Sequence, residues 1–505
     1  MSPVASKSLL PRSEKSLVCA GCLEPLESRR LLAATAVLDG GIVKIAGTDE
    51  ADHIGVAVMP ASVAPMLVVT AEGTQILAVP LSAVHSIEAR LGAGDDALHT
   101  RSNVNRPMLV LGEAGRDHIL TGAGNDRIDG GADDDLMLHS AGDDVYIGGA
   151  GLNDTVSYAA AQFGVNVTLD GLANDGEVRP TLSPLPGEAD NVSHGVEVVL
   201  GSSFNDRIVG VTSPLAVVFP AERLIGGAGN DQLIAGHSAA RSTLLGGDGN
   251  DLLVGAHQPN DFVGGPGLDT VDYSARTGNL HITLDNRPND GAVFNNTTHP
   301  SEGDNVRADV ERVIGGSGDD TIIGPALFAT SLTTADSLHA AAPITFEGGA
   351  GNDTLIAQPP VQRPRADAIT TIAEAGLENT NTLEATAQLA GDEGAVEATV
   401  TSGDAATVLP PFYAVLIGGQ GNDKLVGSAR SDRLVGGTGD DVLLGLLGND
   451  LLDGGAGSDQ MFGGAGDDRF IANDGEPDTV DGGEGNDSAL VDAIDTLISI
   501  ERTGA

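Results

Sequence analysis

Tryptophan is absent from this 505-residue chain, aromatic residues make up 3%, and there are only 2 Cys and 26 Lys plus Arg. Each shortage excludes something. Large globular cores lean on aromatic side chains, because each buries much apolar area. A chain this long would ordinarily form three or four such domains; here Leu, Val, Ile and Ala must do the packing, which suits thin, repetitive layers. Cys19 and Cys22, in "LVCAGCLEP", are too few for a disulfide scaffold, and no second pair completes a zinc site. Against the few bases stand 72 acids, a formal net charge of −46. That balance repels nucleic acid and anionic membrane surfaces and invites cations. No run of 18 apolar residues is present, so no segment reads as a membrane span. Apolar residues still reach 41%, more than disorder alone explains.

Glycine is abundant, at 70 residues, and it is periodic. From Gly418 to Ile471 the chain divides into six nonapeptides: GGQGNDKLV, GSARSDRLV, GGTGDDVLL, GLLGNDLLD, GGAGSDQMF and GGAGDDRFI. Position one is always Gly and position six always Asp. Position eight is always large and apolar: Leu425, Leu434, Leu443, Leu452, Met461 and Phe470. A second array starts at Gly112 (GEAGRDHIL, TGAGNDRID, GGADDDLML, HSAGDDVYI, then GGAGLNDTV with one inserted residue). Isolated copies begin at Gly226, Gly246, Gly315 and Gly348, and a terminal copy at Gly482.

A longer duplication lies between these copies. "DTVSYAAAQFGVNVTLDGLANDG" from Asp154 matches "DTVDYSARTGNLHITLDNRPNDG" from Asp269. Each continues through "EADNV" or "EGDNV" to a "VEVVLGSSFND" or "VERVIGGSGDD" re-entry. Their alternating segments predict strands, in excursions that return to the array. The chain is thus expected to divide into a leader (1–35) and a β-rich N-terminal cap with degenerate repeats (36–105). A first repeat region follows (106–357), with duplicated insertions at 154–210 and 269–324. Then come an acidic flexible linker or looped-out insertion (358–413), a regular array (414–471) and a C-terminal cap (472–505). Segments 211–222 and 325–346 read as shorter insertions of the same kind.

The nonapeptide has a direct physical reading. Gly at positions one, two and four permits positive φ and close approach of backbone to an ion. Asp supplies a hard oxygen, and the last three residues, with the apolar one central, form a short strand. Two units then complete one coil, with the apolar residues of opposite strands meeting inside. Coils of a parallel β structure stack about 4.8 Å apart. Carboxylates at that spacing repel by roughly 3 kcal/mol at an effective dielectric of 20. Divalent cations between coils would remove that repulsion, and calcium, with six to eight oxygen ligands in flexible geometry, fits best.

The pattern G-G-x-G-x-D-x-U-x resembles the RTX, or haemolysin-type, calcium-binding repeat. The resemblance implies an all-β fold, a parallel β-roll or β-solenoid with strand-rich insertions, and multiple bound calcium ions. It implies that the position-six carboxylates are the side-chain ligands: Asp117, Asp126, Asp135, Asp144, Asp231, Asp251, Asp320, Asp353, Asp423, Asp432, Asp441, Asp450, Asp459, Asp468 and Asp487. GSARSDRLV, with Arg430 and Arg433 in or beside its turn, and HSAGDDVYI are expected to bind weakly. A further resemblance concerns Leu23 to Ala34, "LEPLESRRLLAA", which is similar to the LEPR-x-L-L-type leader of exported planctomycete proteins, split by extra residues. It implies export.

Such repeats often accompany a catalytic domain, but no H-E-x-x-H and no G-x-S-x-G occurs; "AGHSAARS" near Ser238 lacks the final Gly. No catalytic residue is assigned. The expected function is an exported calcium-binding structural or surface protein, extracellular or on the cell surface. Two alternatives stay open: an adhesin binding an envelope polysaccharide or surface partner through 154–200 and 269–314, and a β-solenoid enzyme acting on polysaccharide.

Overall fold

The computed structural model describes residues 33–179, 187–193, 195–211, 221–237, 240–293, 302–325, 343–357 and 413–504. Cys19, Cys22 and the leader through residue 32 lie outside them. So do residues 212–220, 326–342 and 358–412, on which the expected insertions fall, and Ser238. Among the described residues there is no α-helix; the one helical turn is the 3₁₀ segment Leu81–Ala83.

The nonapeptide builds the fold as its chemistry predicts. In the regular array successive units form the strands Lys424–Val426, Arg433–Thr438, Val442–Leu447, Leu451–Ala456 and Gln460–Ala465. Each pairs in parallel with the next strand but one, as in Lys424↔Val442 and Leu425↔Leu443. Two nonapeptides therefore make one coil of a parallel β-roll. Leu425, Leu434, Leu443, Leu452, Met461 and Phe470 point inward and are all fully buried. The Gly-rich turn is forced by crowding between coils. Gly437 has φ 122°, and a Cβ there would lie 2.2 Å from the Gly419 carbonyl oxygen one coil away. Where the second Gly is missing, the backbone keeps the same shape: Leu446 adopts φ 79° and Glu113 φ 75°.

Among the described residues the strands form four sheets of 7, 12, 14 and 9 strands. They are successive faces of one roll. The first sheet runs from Thr35–Asp39 to Asn191–Val192, and the second faces it, ending at Asn305–Val306. The third starts at Val165–Thr168 with the antiparallel Gly176–Glu177, and continues to Arg502–Gly504. The fourth starts at Leu280–Thr283 with the antiparallel Gly291–Ala292, and ends at Thr496–Ile498.

The duplicated stretches are the places where one face ends and another begins. After Thr155–Ser157 in the second sheet, the chain opens the third sheet, doubles back, adds Asn191–Val192 as the last strand of the first sheet, and rejoins the second at Val198–Leu200. After Thr270–Asp272 in the third sheet it does the same, opening the fourth and closing the second. They are therefore junctions inside the roll rather than excursions from it.

The expected regional boundaries are not breaks in the sheets. Ile344–Ala350 pairs directly with Ala414–Gln420, Gly349 opposite Gly419, so residues 358–412 interrupt the sequence but not the roll. At the N-terminal end Ile42–Ala46 and His53–Met59 already belong to the first coil, pairing in parallel with Ser86–Ala93 and Ala97–Thr100. Antiparallel strands Thr35–Asp39, Met66–Ala71 and Thr74–Pro80 cover the open edges of that coil. The C-terminal region from 472 consists of further coils.

Gly437→Ala should lower stability by about 1–3 kcal/mol, from backbone strain and the clash with Gly419. Gly278→Ala, where a Cβ meets nothing within 4 Å, should shift it by less than about 0.5 kcal/mol. Urea unfolding of both variants in calcium checks the contrast.

Candidate metal centre

The position-six carboxylates are all inside the protein. Each of the fifteen Asp residues singled out in the sequence is at most 2% exposed. They form hydrogen-bonded ladders along the edges of the roll. The backbone N–H of one Asp donates to Oδ1 of the Asp one coil later, at 2.7–2.9 Å: Asp423 to Asp441 and Asp441 to Asp459, and on the other edge Asp432 to Asp450, Asp450 to Asp468 and Asp468 to Asp487. The ladder crosses the long insertions intact, from Asp320 to Asp353 and from Asp353 to Asp423. In the first part of the roll it links Asp117 to Asp135 and Asp126 to Asp144 on opposite edges, and Asp231 to Asp251.

One oxygen of each carboxylate thus has a defined role. The other divides the residues into two groups. In Asp117, Asp126, Asp135, Asp231, Asp251, Asp353, Asp423, Asp441, Asp450, Asp459, Asp468 and Asp487, Oδ2 is buried with no hydrogen-bond partner. A buried, unpaired charged oxygen is strongly unfavourable unless a cation meets it. In the other three the protein supplies a donor. Ser428 N–H donates to Asp432 Oδ2, Gly316 N–H to Asp320 Oδ2, and the Ser140 and Tyr146 hydroxyls to Asp144 Oδ2. Asp432 and Asp144 are the carboxylates of GSARSDRLV and HSAGDDVYI.

The orphan oxygen sits in a recurring cradle. A Cβ added to Gly436 would lie 2.2 Å from Asp441 Oδ2 and 2.4 Å from the Gly454 carbonyl oxygen of the next coil. The same convergence recurs at Gly418 (Asp423 Oδ2 and Gly436 O) and Gly445 (Asp450 Oδ2 and Gly463 O). A carboxylate oxygen and a carbonyl oxygen therefore face one small space, which only a missing side chain leaves open. This all-oxygen donor set suits a hard cation such as calcium.

Four further carboxylates share the arrangement: Asp96, Asp154, Asp269 and Asp478 also have a buried Oδ2 without a partner. They join the ladders through Asp96 N–H to Asp117, Asp135 N–H to Asp154, Asp251 N–H to Asp269 and Asp459 N–H to Asp478. Asp269 holds position six of "GGPGLDTVD" and Asp96 that of "LGAGDDALH", so their signal was present in the repeat frame. Asp154 and Asp478 follow one extra residue, which hid the register. Glu takes over where Asp cannot reach: Asp154, Asp269 and Asp487 donate to Glu197, Glu311 and Glu501. An outer ladder at position five was also not anticipated. There Asp440 N–H donates to Asn422 Oδ1, and Ser458 N–H to Asp440 Oδ1, both exposed.

The carboxyls register their surroundings. Burial raises Asp441 to about 7 against the lowering effect of the Asp423 N–H, and the neighbouring Asp459 and Asp423 carboxylates add to the rise. Burial likewise raises Asp450 to about 8, Asp135 to about 7 and Asp468 to about 6.

The profile of the RTX calcium-binding nonapeptide repeat (4 copies) matches residues 111–146, 221–239, 238–271, 308–324, 345–358, 417–452, 444–477 and 453–489. No curated protein matches the chain. A parallel β-roll whose turns present buried carboxylates in register defines a class of cation-binding repeat protein. Within that class, the matched residues are RTX, or haemolysin-type, calcium-binding repeats, which bind multiple calcium ions.

The raised pKa values fix the sign of a pH effect. These carboxyls hold their protons more tightly folded than unfolded, so their contribution is fully present below the unfolded value of about 4 and is lost as pH rises through 6 to 8. In chelator, thermal melting should therefore fall from pH 4 to pH 8. Saturating calcium, which binds the deprotonated form, should abolish or reverse that slope.

Proposed function

We propose that this protein is an exported structural or surface protein whose roll folds when calcium meets it outside the cell. The observation that carries the reading is the buried, unpartnered Oδ2 repeated coil after coil. The ligands are the carboxylates of Asp117, Asp126, Asp135, Asp231, Asp251, Asp353, Asp423, Asp441, Asp450, Asp459, Asp468 and Asp487, extended by Asp96, Asp154, Asp269 and Asp478, with carbonyl oxygens of the Gly-rich turns. Calcium, when bound, supplies the positive charge these rows lack. The protein's own contribution is to hold one oxygen of each carboxylate on the N–H of the preceding coil and aim the other at the turn. Asp144, Asp320 and Asp432 close their turns with protein donors and act as structural rungs.

Export is supported by the leader-like "LEPLESRRLLAA" and by the chemistry of the ladder. At low calcium the like charges of successive coils oppose folding; at the millimolar calcium for which extracellular modules are tuned, about 10⁻⁴–10⁻³ M in Kd, they promote it. A structural role is favoured over catalysis on polysaccharide. A sugar-binding cleft relies on exposed aromatic rings, whereas Tyr146, Tyr158, Tyr273, Phe262, Phe346 and Phe470 are buried in the roll. The described residues of 154–200 and 269–314, considered above as partner-binding excursions, form the junctions between faces.

The test uses the full chain. Far-ultraviolet circular dichroism should show little strand signal in EGTA and a cooperative gain in millimolar calcium; equal spectra in both would refute calcium-dependent folding. Asp441→Asn keeps an oxygen for the Asp423 N–H but removes the orphan carboxylate oxygen. It should reduce the calcium count measured by isothermal titration while leaving the calcium-saturated fold intact. Asp432→Asn should leave the count unchanged and lower stability by about 1–3 kcal/mol, because its new amide opposes the Ser428 N–H.

A further inference from the structure

The two junctions between faces are copies of one design, and they differ in how a buried acidic cluster is neutralised. In the second, the Tyr273 hydroxyl donates to Asp304 Oδ2 at 2.9 Å, and Arg276 reaches Glu302 Oε1 at 2.8 Å, with both charged side chains at most 7% exposed. Arg276 also meets His257 Nδ1 and donates to the Ala256 carbonyl. A guanidinium is built into that junction.

In the first junction the matching hydroxyl, Tyr158, donates to Asp190 Oδ2 at 3.1 Å. The residue corresponding to Arg276 is Ala161, and the residue corresponding to Ala292 is Glu177. This copy therefore lacks the interior cation and gains a carboxylate. Arg179 bridges Glu177 Oε2 and Glu188 Oε1 at 3.0 and 2.9 Å and the Gln162 N–H donates to Glu177 Oε1, which leaves Glu188 Oε2 without a donor. His139 lies beside it. Its ring packs on Tyr158 with centroids 4.9 Å apart. Nε2 lies 3.5 Å from Glu188 Oε2 and 3.9 Å from Glu177 Oε1, while Nδ1 lies 3.7 Å from Asp190 Oδ2. These side chains are 0–7% exposed. Yet His139 Nδ1 and Glu188 Oε2 have no hydrogen-bond partner.

The spacing is informative. Gaps of 3.5–3.7 Å are too long for hydrogen bonds. They involve opposite ring nitrogens, so a single ion would take one nitrogen of His139 together with one oxygen each of Glu188 and Asp190. One ligand atom each from His139, Glu188 and Asp190 lie within 4.8 Å of one another. An imidazole with two carboxylates is a donor set for zinc-class ions, whereas calcium takes oxygen alone.

We propose that His139, Glu188 and Asp190 form a site for a divalent transition cation of the zinc class, separate from the calcium ladders, which clasps the first junction as Arg276 clasps the second. The ion ties His139, between the strands Leu136–Leu138 and Val145–Gly149, to the returning stretch that places Asn191–Val192 on the first sheet. A proton on His139 is the competing occupant of the same cluster.

The experiment uses the full chain with Cys19→Ser and Cys22→Ser, so that the leader thiols bind nothing, held in millimolar calcium and stripped of transition metals. Zinc is added, excess is removed, and zinc and calcium are counted by elemental analysis. The expected result is one retained zinc that His139→Gln abolishes, with the calcium count and circular dichroism unchanged and with His257→Gln behaving as the parent. No retained zinc, or retention equal in His139→Gln, overturns the proposal. Should His139→Gln fail to fold, cobalt(II) on the parent decides. The visible absorption of a four-coordinate nitrogen–oxygen site supports the clasp. The weak spectrum of six-coordinate cobalt, or a His139 ring that titrates by NMR equally with and without zinc, rejects it.

Discussion

The hydrogen bond from one aspartate's N–H to the carboxylate of the next coil's aspartate is the interaction on which the rest of this structure depends. It places most position-six side chains inside the turn, at 2.8 Å from the donor in the regular array, while Met108, Leu280 and Ala414 N–H do the same for Asp126, Asp320 and Asp432, and it uses only one oxygen. The second oxygen is then buried and unanswered, coil after coil. That single geometry both sets the stacking of the roll and creates its demand for cations. On the function proposed above, folding and calcium binding are one process, because the carboxylates assemble only as the coils stack and repel one another unless neutralised.

The position-one and position-two glycines follow from the same constraint. Oδ2 of Asp441 and the Gly454 carbonyl both crowd the Cα of Gly436, so any side chain there would occupy the ion's space. The tolerance of Leu446 and Glu113 at position two shows the difference between the two roles. Position two needs a left-handed backbone and, as at Gly437, faces a carbonyl oxygen of the preceding coil, so a non-glycine there is held under strain. Position one crowds Oδ2 and a carbonyl oxygen where it is Gly436, although Thr121 and His139 hold it in two units of the first array.

The departures from the repeat are equally instructive. At Asp432, Asp320 and Asp144 a Ser, Gly or Tyr donor meets the second oxygen within the protein. Where the roll exchanges one face for another, glutamates take the place of aspartate as acceptors for Asp154 and Asp269. The junctions bring acidic side chains into the interior, each with its own answer to the charge: Arg276 in one copy, and the His139 cluster in the other.

The fold class, the 18-residue coil, the inward Leu, Met and Phe column and most of the carboxylate rows were legible in the sequence, because a strict nine-residue period leaves a chain of Gly, Asp and Leu one way to bury its apolar residues. The repeat frame even contained Asp96 and Asp269, although single inserted residues concealed Asp154 and Asp478. Tertiary structure alone decided which carboxylates keep an open oxygen, since that depends on whether a donor such as Ser428 N–H happens to reach back across the turn. It alone showed that the duplicated stretches exchange faces of one continuous roll, and that Ile344–Ala350 meets Ala414–Gln420 across the longest interruption. Local periodicity specifies a coil; which coil stacks on which is a long-range choice, made by register between strands that the sequence separates by as many as 70 residues.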